Sequence, residues 1–266
     1  MLGMAALAAG IQQSSPSSTT PPQAPAASRQ QPASSGQPPA SSFQPPALQL
    51  SQASPAPPIP SPVLPPQAQG PRFVVVVDAA HGGADAGARI GNIEEKDIAL
   101  EMAGRLRSTL RARGVEVVMT RSGDVNLAPV NRAEAANHAQ AAACLTIHAT
   151  ATGSGVHLFT SSLAVTANAR FLPWGTAQSA YVTQSMKLES EIDTALAHAE
   201  IPVTVGRASV APMDSMTCAE VAVEIAPLVG GHVTGSKAVT DVSYQRQVVD
   251  AVAAALEQWR SDWRQQ

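Results

Sequence analysis

The chain has 266 residues and a formal net charge of −3, and only 3% of its side chains are aromatic. A weakly negative chain has no basic footprint for nucleic acid, and scarce aromatics leave no platform on which bases could stack. The charge and the low aromatic content therefore argue against nucleic acid as a ligand of this chain.

The first 70 residues differ from the rest in composition. Residues 1–11 are short and apolar and resemble the end of a secretory signal, so we predict a signal remnant that lacks the positively charged start. Residues 12–70 are rich in Pro, Ser, Gln and Ala and predict a disordered linker. Residues 71–266 are long enough for one domain with a full core. We expect export to the periplasm or cell envelope, and no later segment predicts a transmembrane helix.

Strands and helices alternate through most of the predicted domain. In chain order the pattern predicts a strand at Phe73–Asp78, a glycine-rich loop at 79–93, a helix at Lys96–Arg113, a strand at Val115–Thr120, a helix at Pro129–Gln140, strands at Ala143–His148 and Val156–Thr160, a helix at Ala177–His198, strands at Pro202–Val210 and Thr217–Ile225, and a helix at Tyr244–Trp263. This alternation favours an α/β domain on a mainly parallel sheet.

Helical spacing also predicts which side chains are buried. The expected core positions are Ile98, Met102, Leu106 and Leu110 in the first helix, Val182, Met186, Leu188, Ile192 and Leu196 in the third, and Val248, Val252, Leu256 and Trp259 in the last.

Two predicted strands each deliver a histidine at their carboxyl end. His81 follows the first strand and is flanked by two glycines, and His148 ends the strand that begins at Ala143. Glu95 stands at the start of the first helix, where a carboxylate also favours the helix dipole. Ligands bind at the carboxyl ends of strands in open α/β sheets. Two His and one Glu meeting there are typical of a catalytic zinc site, and one metal ion requires their tips to lie within about 6 Å of one another.

A further acid lies near the end of an apolar strand. Glu224 follows Val223 in that strand, and a buried strand-end acid has either a paired partner or a function. Beside a hydrolytic metal site a carboxylate can take a proton from the attacking water and pass it to the leaving amine. Glu220 is the rival candidate, but it lies at the opposite end of the strand, so we prefer Glu224.

Several motifs, taken in order, resemble the zinc-dependent N-acetylmuramoyl-L-alanine amidases of bacterial cell walls. The resemblance covers about residues 73–260 and rests on Asp78-Ala-Ala-His81-Gly-Gly-Ala-Asp85-Ala-Gly87, Glu95-Lys96-Asp97-Ile98-Ala99-Leu100, Val117-Val118-Met119-Thr120-Arg121-Ser122-Gly123-Asp124, Arg132 with Asn137, Ile147-His148-Ala149 and Val223-Glu224-Ile225. Each motif alone is weak evidence, and their common order is strong evidence.

The resemblance implies both a fold and an activity. It implies a mainly parallel or mixed sheet of about six strands with helices on both faces. It implies Zn²⁺ held by His81, Glu95 and His148, with Glu224 as the catalytic acid and base. The implied reaction is hydrolysis of the amide between N-acetylmuramic acid and L-alanine in peptidoglycan. An envelope activator protein is a possible partner of unknown identity.

The chain departs from the family pattern at three places. Ala79-Ala80 stand where the family usually has Pro-Gly, Thr150 stands in place of Asn, and Ala226-Pro227 replace Gly-Phe. A Cβ at position 80 would be strained if that residue had a positive φ. None of these changes removes a predicted ligand. They keep two alternatives open: a catalytically impaired peptidoglycan-binding module, and another zinc peptidase that acts on stem peptides.

Four remaining side chains have simpler interpretations. Cys144 and Cys218 lack a metal-binding spacing and are read as small buried residues, and a disulfide between them is left open. His157 could line the cleft, but a packing role is favoured. Trp174 is the one tryptophan that could border the site.

Overall fold

The structure is a computed structural model that describes residues 72–166, 172–229 and 236–263. The predicted signal remnant at 1–11, the predicted linker at 12–70 and residue 71 lie outside these residues. Within the described ranges, none of the helices has the length and apolar character that a membrane crossing needs.

In the described part of the chain, six strands form one mixed sheet, and two further short strands form a separate hairpin. The strands are β1 (Val74–Ala79), the hairpin pair β2 (Arg89–Ile90) and β3 (Ile93–Glu94), β4 (Glu116–Met119), β5 (Ala143–Ala149), β6 (Val156–Ser161), β7 (Val203–Ala208) and β8 (Ala219–Ile225). The order across the large sheet is β4-β1-β5-β8-β6-β7. This confirms the predicted α/β fold with about six strands.

Strand direction changes once across the sheet. The pairs β1–β4, β1–β5 and β5–β8 are parallel, β6 runs antiparallel to β8, and β7 is parallel to β6. The carboxyl ends of β1, β5 and β8 therefore meet at the same edge as the amino end of β6. That edge receives residues from both kinds of strand end.

The helices follow the predicted order with adjusted ends. They are α1 (Glu95–Ala112), α2 (Pro129–His138), α3 (Val182–His198) and α4 (Val242–Trp263), with 3₁₀ helices at Trp174–Ala180 and Met213–Ser215. Gly114 follows α1 at φ 72°, and Pro129 is the first residue of α2, where a missing N–H costs little. The helix predicted from Ala177 was wrong at its start, because Ala177 belongs to the 3₁₀ helix and α3 begins at Val182.

One face of the sheet carries the main hydrophobic core. The helices α1, α3 and α4 pack against it, and all but one of the core positions predicted from helical spacing are buried. The exception is Met186, which is 46% exposed, so its predicted core role was wrong. The buried stripe of α3 passes through Ser185 instead, and its hydroxyl donates a hydrogen bond to Gln178 Oε1 at 2.7 Å.

The opposite face carries α2 and a smaller cluster. Val76, Ala133 and Ala136 pack there with Cys144 and Cys218. These two cysteines form a disulfide with Cα atoms 6.0 Å apart, which answers a question that the sequence left open. The disulfide joins the first half of β5 to the residue just before β8. Helices therefore cover both faces, as predicted.

Candidate active site

Three of the predicted site residues converge at the carboxyl edge of the sheet. His81 follows β1, Glu95 opens α1, and His148 lies in β5. One ligand atom from each lies within 4.8 Å of the others. Glu95 Oε1 is 2.8 Å from His148 Nδ1 and 3.1 Å from His81 Nε2. The spacing satisfies the limit set from the sequence, while a metal-binding role for these residues stays a prediction.

The loop after β1 needs an unusual backbone to present His81. The left-handed residue is His81 itself, at φ 61°, and not Ala80. The concern about a Cβ at Ala80 therefore does not apply. Gly87 is at φ 65°, and a Cβ there would lie 2.6 Å from both Glu95 Oε2 and His81 Cδ2. Only glycine lets the backbone pass this close to the two side chains.

Two buried arginines donate hydrogen bonds to the backbone carbonyls of the same loop. Arg121 donates hydrogen bonds to the carbonyls of Ala79 and Ala80 at 2.8 Å each. Arg132 donates to the carbonyls of Ala79 and His81 and forms a buried ion pair with Asp78 at 2.9 Å. The loop carbonyls that end β1 are thus paired with fixed cations, which positions the His81 backbone.

Lys96 and Asp124 tie down the far side of the loop. The Lys96 ammonium donates to the Gly83 carbonyl and to Asp124, both at 2.9 Å. Asp124 in turn accepts from the Gly83 N–H. Burial alone would lower the pKa of Lys96, but its hydrogen bond to Asp124, the largest influence, raises that pKa instead. Lys96 is therefore charged and available as a loop anchor.

The Glu95 carboxylate is ionised in this setting. Burial alone would raise the pKa of Glu95. Hydrogen bonds from both imidazoles and from the Ala88 N–H outweigh burial and hold that pKa well below its usual range. The Ala149 N–H donates to the same carboxylate at 3.2 Å. A fixed, ionised oxygen between two imidazoles is the arrangement that a divalent cation needs.

His81 has a second partner that sequence reasoning did not single out. Its Nδ1 lies 2.9 Å from Asp85 Oδ2, four residues along the chain. Histidines that bind metals usually donate their other ring N–H to a carboxylate, which fixes the ring. The i,i+4 spacing within the glycine-rich loop was visible in the sequence, but its meaning depended on the loop geometry.

The donor set fits zinc on chemical grounds. Two imidazole nitrogens and one carboxylate oxygen are three protein ligands, which leaves a fourth position for water or substrate. The side chains of His81 and His148 are each 22% exposed, so the cluster opens to solvent. A cavity of about 130 Å³ lies beside it and is lined by Asp85, Asn126 and Thr146 among others.

Glu224 lies in the strand next to His148. The register of β5 and β8 pairs His148 with Glu224, so their side chains leave the same face of the sheet. The Glu224 side chain is 30% exposed, whereas Glu220 is fully buried and accepts a hydrogen bond from Thr146 at 2.7 Å. An acid that must exchange protons with substrate has to be reachable, so the geometry favours Glu224 over Glu220.

His157 does not have the simple packing role that the sequence favoured. It is the second residue of β6, and its Nδ1 lies 2.7 Å from Glu224 Oε2. A prediction from one strand alone could not find this pair, because it depends on the antiparallel placement of β6 beside β8.

A second cluster of potential metal ligands is occupied by other chemistry. Cys144, Cys218 and Glu220 bring their ligand atoms within 4.8 Å of one another, but the two sulfurs are joined in the disulfide.

Trp174 is 48% exposed at the start of its 3₁₀ helix. Its role as a border of the site stays a prediction, because residues 167–171 before it are outside the described ranges.

Comparison with known proteins gives a family match over most of the chain. A sequence model described as N-acetylmuramoyl-L-alanine amidase matches residues 75–258. The germination-specific N-acetylmuramoyl-L-alanine amidase of Bacillus subtilis is 36% identical over 89 residues, which cover 28% of this chain and 38% of that protein. The N-acetylmuramoyl-L-alanine amidase AmiA of Escherichia coli is 37% identical over 111 residues, covering 39% of this chain and 38% of that protein. The chain thus aligns with well under half the length of these curated relatives.

Solved structures show the same fold. The catalytic domain of CwlV, an N-acetylmuramoyl-L-alanine amidase from Bacillus (Paenibacillus) polymyxa, matches with a TM-score of 0.55 at 22% identity and covers 71% of this chain and 98% of that one. The CwlD amidase from Clostridioides difficile, solved in complex with the GerS lipoprotein, matches with a TM-score of 0.55 at 19% identity, covering 71% of this chain and 99% of that one.

Proposed function

Because the chain belongs to the N-acetylmuramoyl-L-alanine amidase family, we propose that it hydrolyses the amide bond between N-acetylmuramic acid and L-alanine in peptidoglycan, with zinc held by His81, Glu95 and His148. The observation that carries this proposal is the convergence of those three ligand atoms within 4.8 Å, with His148 paired across β5 and β8 to a reachable Glu224. Family membership alone would leave open whether this chain keeps a complete site.

The chemistry divides between the metal and the chain. A zinc ion at this site supplies Lewis-acid polarisation of the scissile carbonyl and lowers the pKa of water. Asp85 orients His81 through the hydrogen bond to Nδ1, and the Ala88 and Ala149 N–H groups orient the Glu95 carboxylate. These contacts set the ligand geometry before substrate arrives.

Glu224 is the proton carrier in this proposal. Its carboxylate takes a proton from the attacking water and then gives that proton to the departing amine of alanine. The two new ends are the lactyl carboxylate on the sugar and the free amino group of the stem peptide. The reaction separates glycan strand from peptide and needs no group beyond water, the metal and the acid.

The proposed substrate places the protein outside the cytoplasm, in the periplasm or cell envelope. Family members named here act on the bond that links cell-wall glycan to peptide, which supports this location. A structural neighbour was solved with a lipoprotein, so an envelope activator is a reasonable partner to test.

One alternative is a peptidoglycan-binding module with impaired catalysis. The departures from the family pattern at Ala79, Ala80 and Thr150 suggest this alternative. Against it, the Ala79 and Ala80 carbonyls accept the arginine hydrogen bonds that hold the loop, and neither alanine has a strained backbone. The Thr150 N–H donates to the Ile225 carbonyl, so the end of β5 remains anchored to β8.

The deciding experiment combines metal analysis with product identification on purified sacculi. We expect about one zinc per chain, and mass spectrometry should find stem peptides with a free alanine amino terminus. Glu95→Gln should lose both zinc and turnover. Asp97→Asn, an equal charge change at an exposed position of the same helix turn, should keep both.

Two outcomes would contradict the proposal. Cleavage within the stem peptide would identify a peptidase instead. Retention on sacculi without any released product, in a protein that holds zinc, would identify a binding module.

A further inference from the structure

Because β6 runs antiparallel to β8, the amino end of β6 lies at the carboxyl edge of β1, β5 and β8, and this brings His157 to the candidate active site. His157 is near the amino end of β6, and Glu224 is near the carboxyl end of β8. The antiparallel register pairs these two residues directly, and the parallel register on the other side pairs Glu224 with His148. Directly paired residues point to the same face, so the three side chains form one row across three strands.

The contact within this row is short and specific. His157 Nδ1 lies 2.7 Å from Glu224 Oε2, in the range of a charge-assisted hydrogen bond. Because a carboxylate only accepts, His157 must donate through Nδ1–H. Within residues 72–166, 172–229 and 236–263, no side chain or backbone donor reaches the other oxygen of Glu224, Oε1, and the Glu224 side chain is 30% exposed.

The imidazole of His157 also lies close to the backbone of Gly153. Gly153 lies against it, and a Cβ on Gly153 would come within 2.4 Å of both Cε1 and Nε2 of His157. The side chain of His157 is only 15% exposed. The largely buried His157 ring contacts both the Gly153 backbone and the Glu224 carboxylate. It therefore has little freedom to turn, so the direction of its Nδ1–H is fixed.

We propose that His157 is a positioning residue that holds the Glu224 carboxylate by one oxygen and leaves the other free to accept the proton of the attacking water. The inference rests on the proposed function and adds a residue to it. A carboxylate that is hydrogen-bonded at Oε2 cannot rotate freely about its terminal bond, so Oε1 keeps a constant direction. A general base needs its accepting atom within hydrogen-bond reach of the proton that it removes.

The expected size of the effect follows from comparable outer contacts. Residues that orient metal ligands typically change activity about 10–100-fold when they are mutated, and we take the same range for a residue that orients the catalytic carboxylate. We therefore expect His157→Ala to lower kcat by about 10–100-fold on a soluble muropeptide, with KM and zinc content unchanged. His157→Asn can place an amide N–H close to the position of Nδ1, so it should recover most of the lost kcat.

A double variant separates positioning from a structural role. If His157 acts only through Glu224, the double variant Glu224→Gln with His157→Ala should be no slower than Glu224→Gln alone. His138→Ala serves as the matched control, because His138 is an exposed histidine at the end of α2. It should leave kcat, KM and the melting temperature at wild-type values.

Each remaining outcome overturns the inference in a recognisable way. Unchanged kcat in His157→Ala, equal loss in the Ala and Asn variants, or an additive loss in the Glu224→Gln background would remove the positioning role. Loss of zinc in His157→Ala would assign the residue to the metal site instead. If wild-type protein itself cleaves no muramoyl–alanine bond, the proposed function fails first, whereas an active wild type with an inactive Glu224→Gln and an active His157→Ala rejects this inference alone.

Discussion

The two faces of the central sheet use the same three strands for different purposes. On β1, β5 and β8 the odd-numbered side chains enter the main core, whereas the even-numbered positions carry most of the polar side chains. The core set is Val75, Val77, Ala79, Leu145, Ile147, Ala149, Val221, Val223 and Ile225. The other set includes Asp78, Thr146, His148, Glu220 and Glu224.

This contrast explains how the fold carries both stability and chemistry. Successive side chains on a strand leave opposite faces, so one residue of sequence separates a core position from a site position. Since the registers of β1 with β5 and of β5 with β8 align odd with odd positions, the separation holds across all three strands. Substitutions on the core face should therefore change stability, and those at the carboxyl end of the other face should change turnover.

The largest expected effect is at Glu224, on the even-numbered face of the sheet. Glu224→Gln keeps the shape of the side chain but removes its ability to take and return a proton. We expect the rate of dye release from labelled peptidoglycan to fall about 10²–10⁴-fold, with zinc content and melting temperature unchanged. Val223→Ala, one residue away on the core face, should lower stability and leave the rate per folded molecule intact.

A Gln variant with near wild-type turnover would remove the role assigned to Glu224. The carboxyl edge of the sheet would then carry the three predicted ligands without an acid beside them.

The next effect is on the core face, at Leu145. This side chain is fully buried in the main cluster. Leu145→Ala should lower the free energy of unfolding by about 2–5 kcal/mol through lost burial and a residual cavity. Denaturant unfolding measures the loss, and turnover per folded molecule should stay at the wild-type value. A loss of turnover at a temperature where the variant is fully folded would show that the two faces are not independent.

The disulfide tests the even-numbered face away from its active end. Cys144 and Cys218 enclose 74 residues of chain separation, and both are buried. The double variant Cys144→Ala with Cys218→Ala should lose about 2–4 kcal/mol of stability while it keeps turnover when folded. A reducing agent should weaken the wild type and leave the double variant unaffected. If the double variant is as stable as the oxidised wild type, the bond contributes nothing to the fold.

Local pattern was sufficient for most elements of this fold. The spacing of Ile98, Met102 and Leu106 predicted α1 because the helix buries one face against one sheet. The histidines at 81 and 148 were identified because each follows an apolar strand whose carboxyl end must lie at the ligand edge. These inferences need only periodicity and the rule for strand ends.

What the sequence did not predict depends on contacts between distant segments. The pair of His157 with Glu224 needs the strand order and the reversal of β6, and neither is written in local periodicity. The role of Asp85 needs the left-handed turn at His81. Met186 lies four residues after Val182, but the buried stripe of α3 continues three residues after Val182, at the small polar Ser185, which an apolar pattern does not mark.

The most gradual expected effect is a pH dependence that comes from Glu220. Burial, with a smaller contribution from the nearby Asp78 charge, raises the pKa of Glu220 from 4.5 to about 8, although hydrogen bonds from Thr146 act in the other direction. Between these two values the folded chain keeps a proton that the unfolded chain releases. The free energy of unfolding should therefore fall as pH rises through this window, by at most about 1.4 kcal/mol per pH unit for one proton.

Glu220→Gln removes this proton exchange and keeps a neutral side chain of the same shape. Its unfolding free energy should change less steeply between about pH 5 and about pH 8, so the variant gains on the wild type toward the alkaline end. Glu134→Gln, an exposed acid on α2, should keep the wild-type slope. Glu220 lies on the same strand and face as Glu224, but it is fully buried near the amino end of β8, so Glu220→Gln should leave turnover unchanged. An unchanged slope would mean that Glu220 is ionised in the folded chain. Burial would then not explain why Glu224, and not Glu220, is the catalytic acid of the proposal.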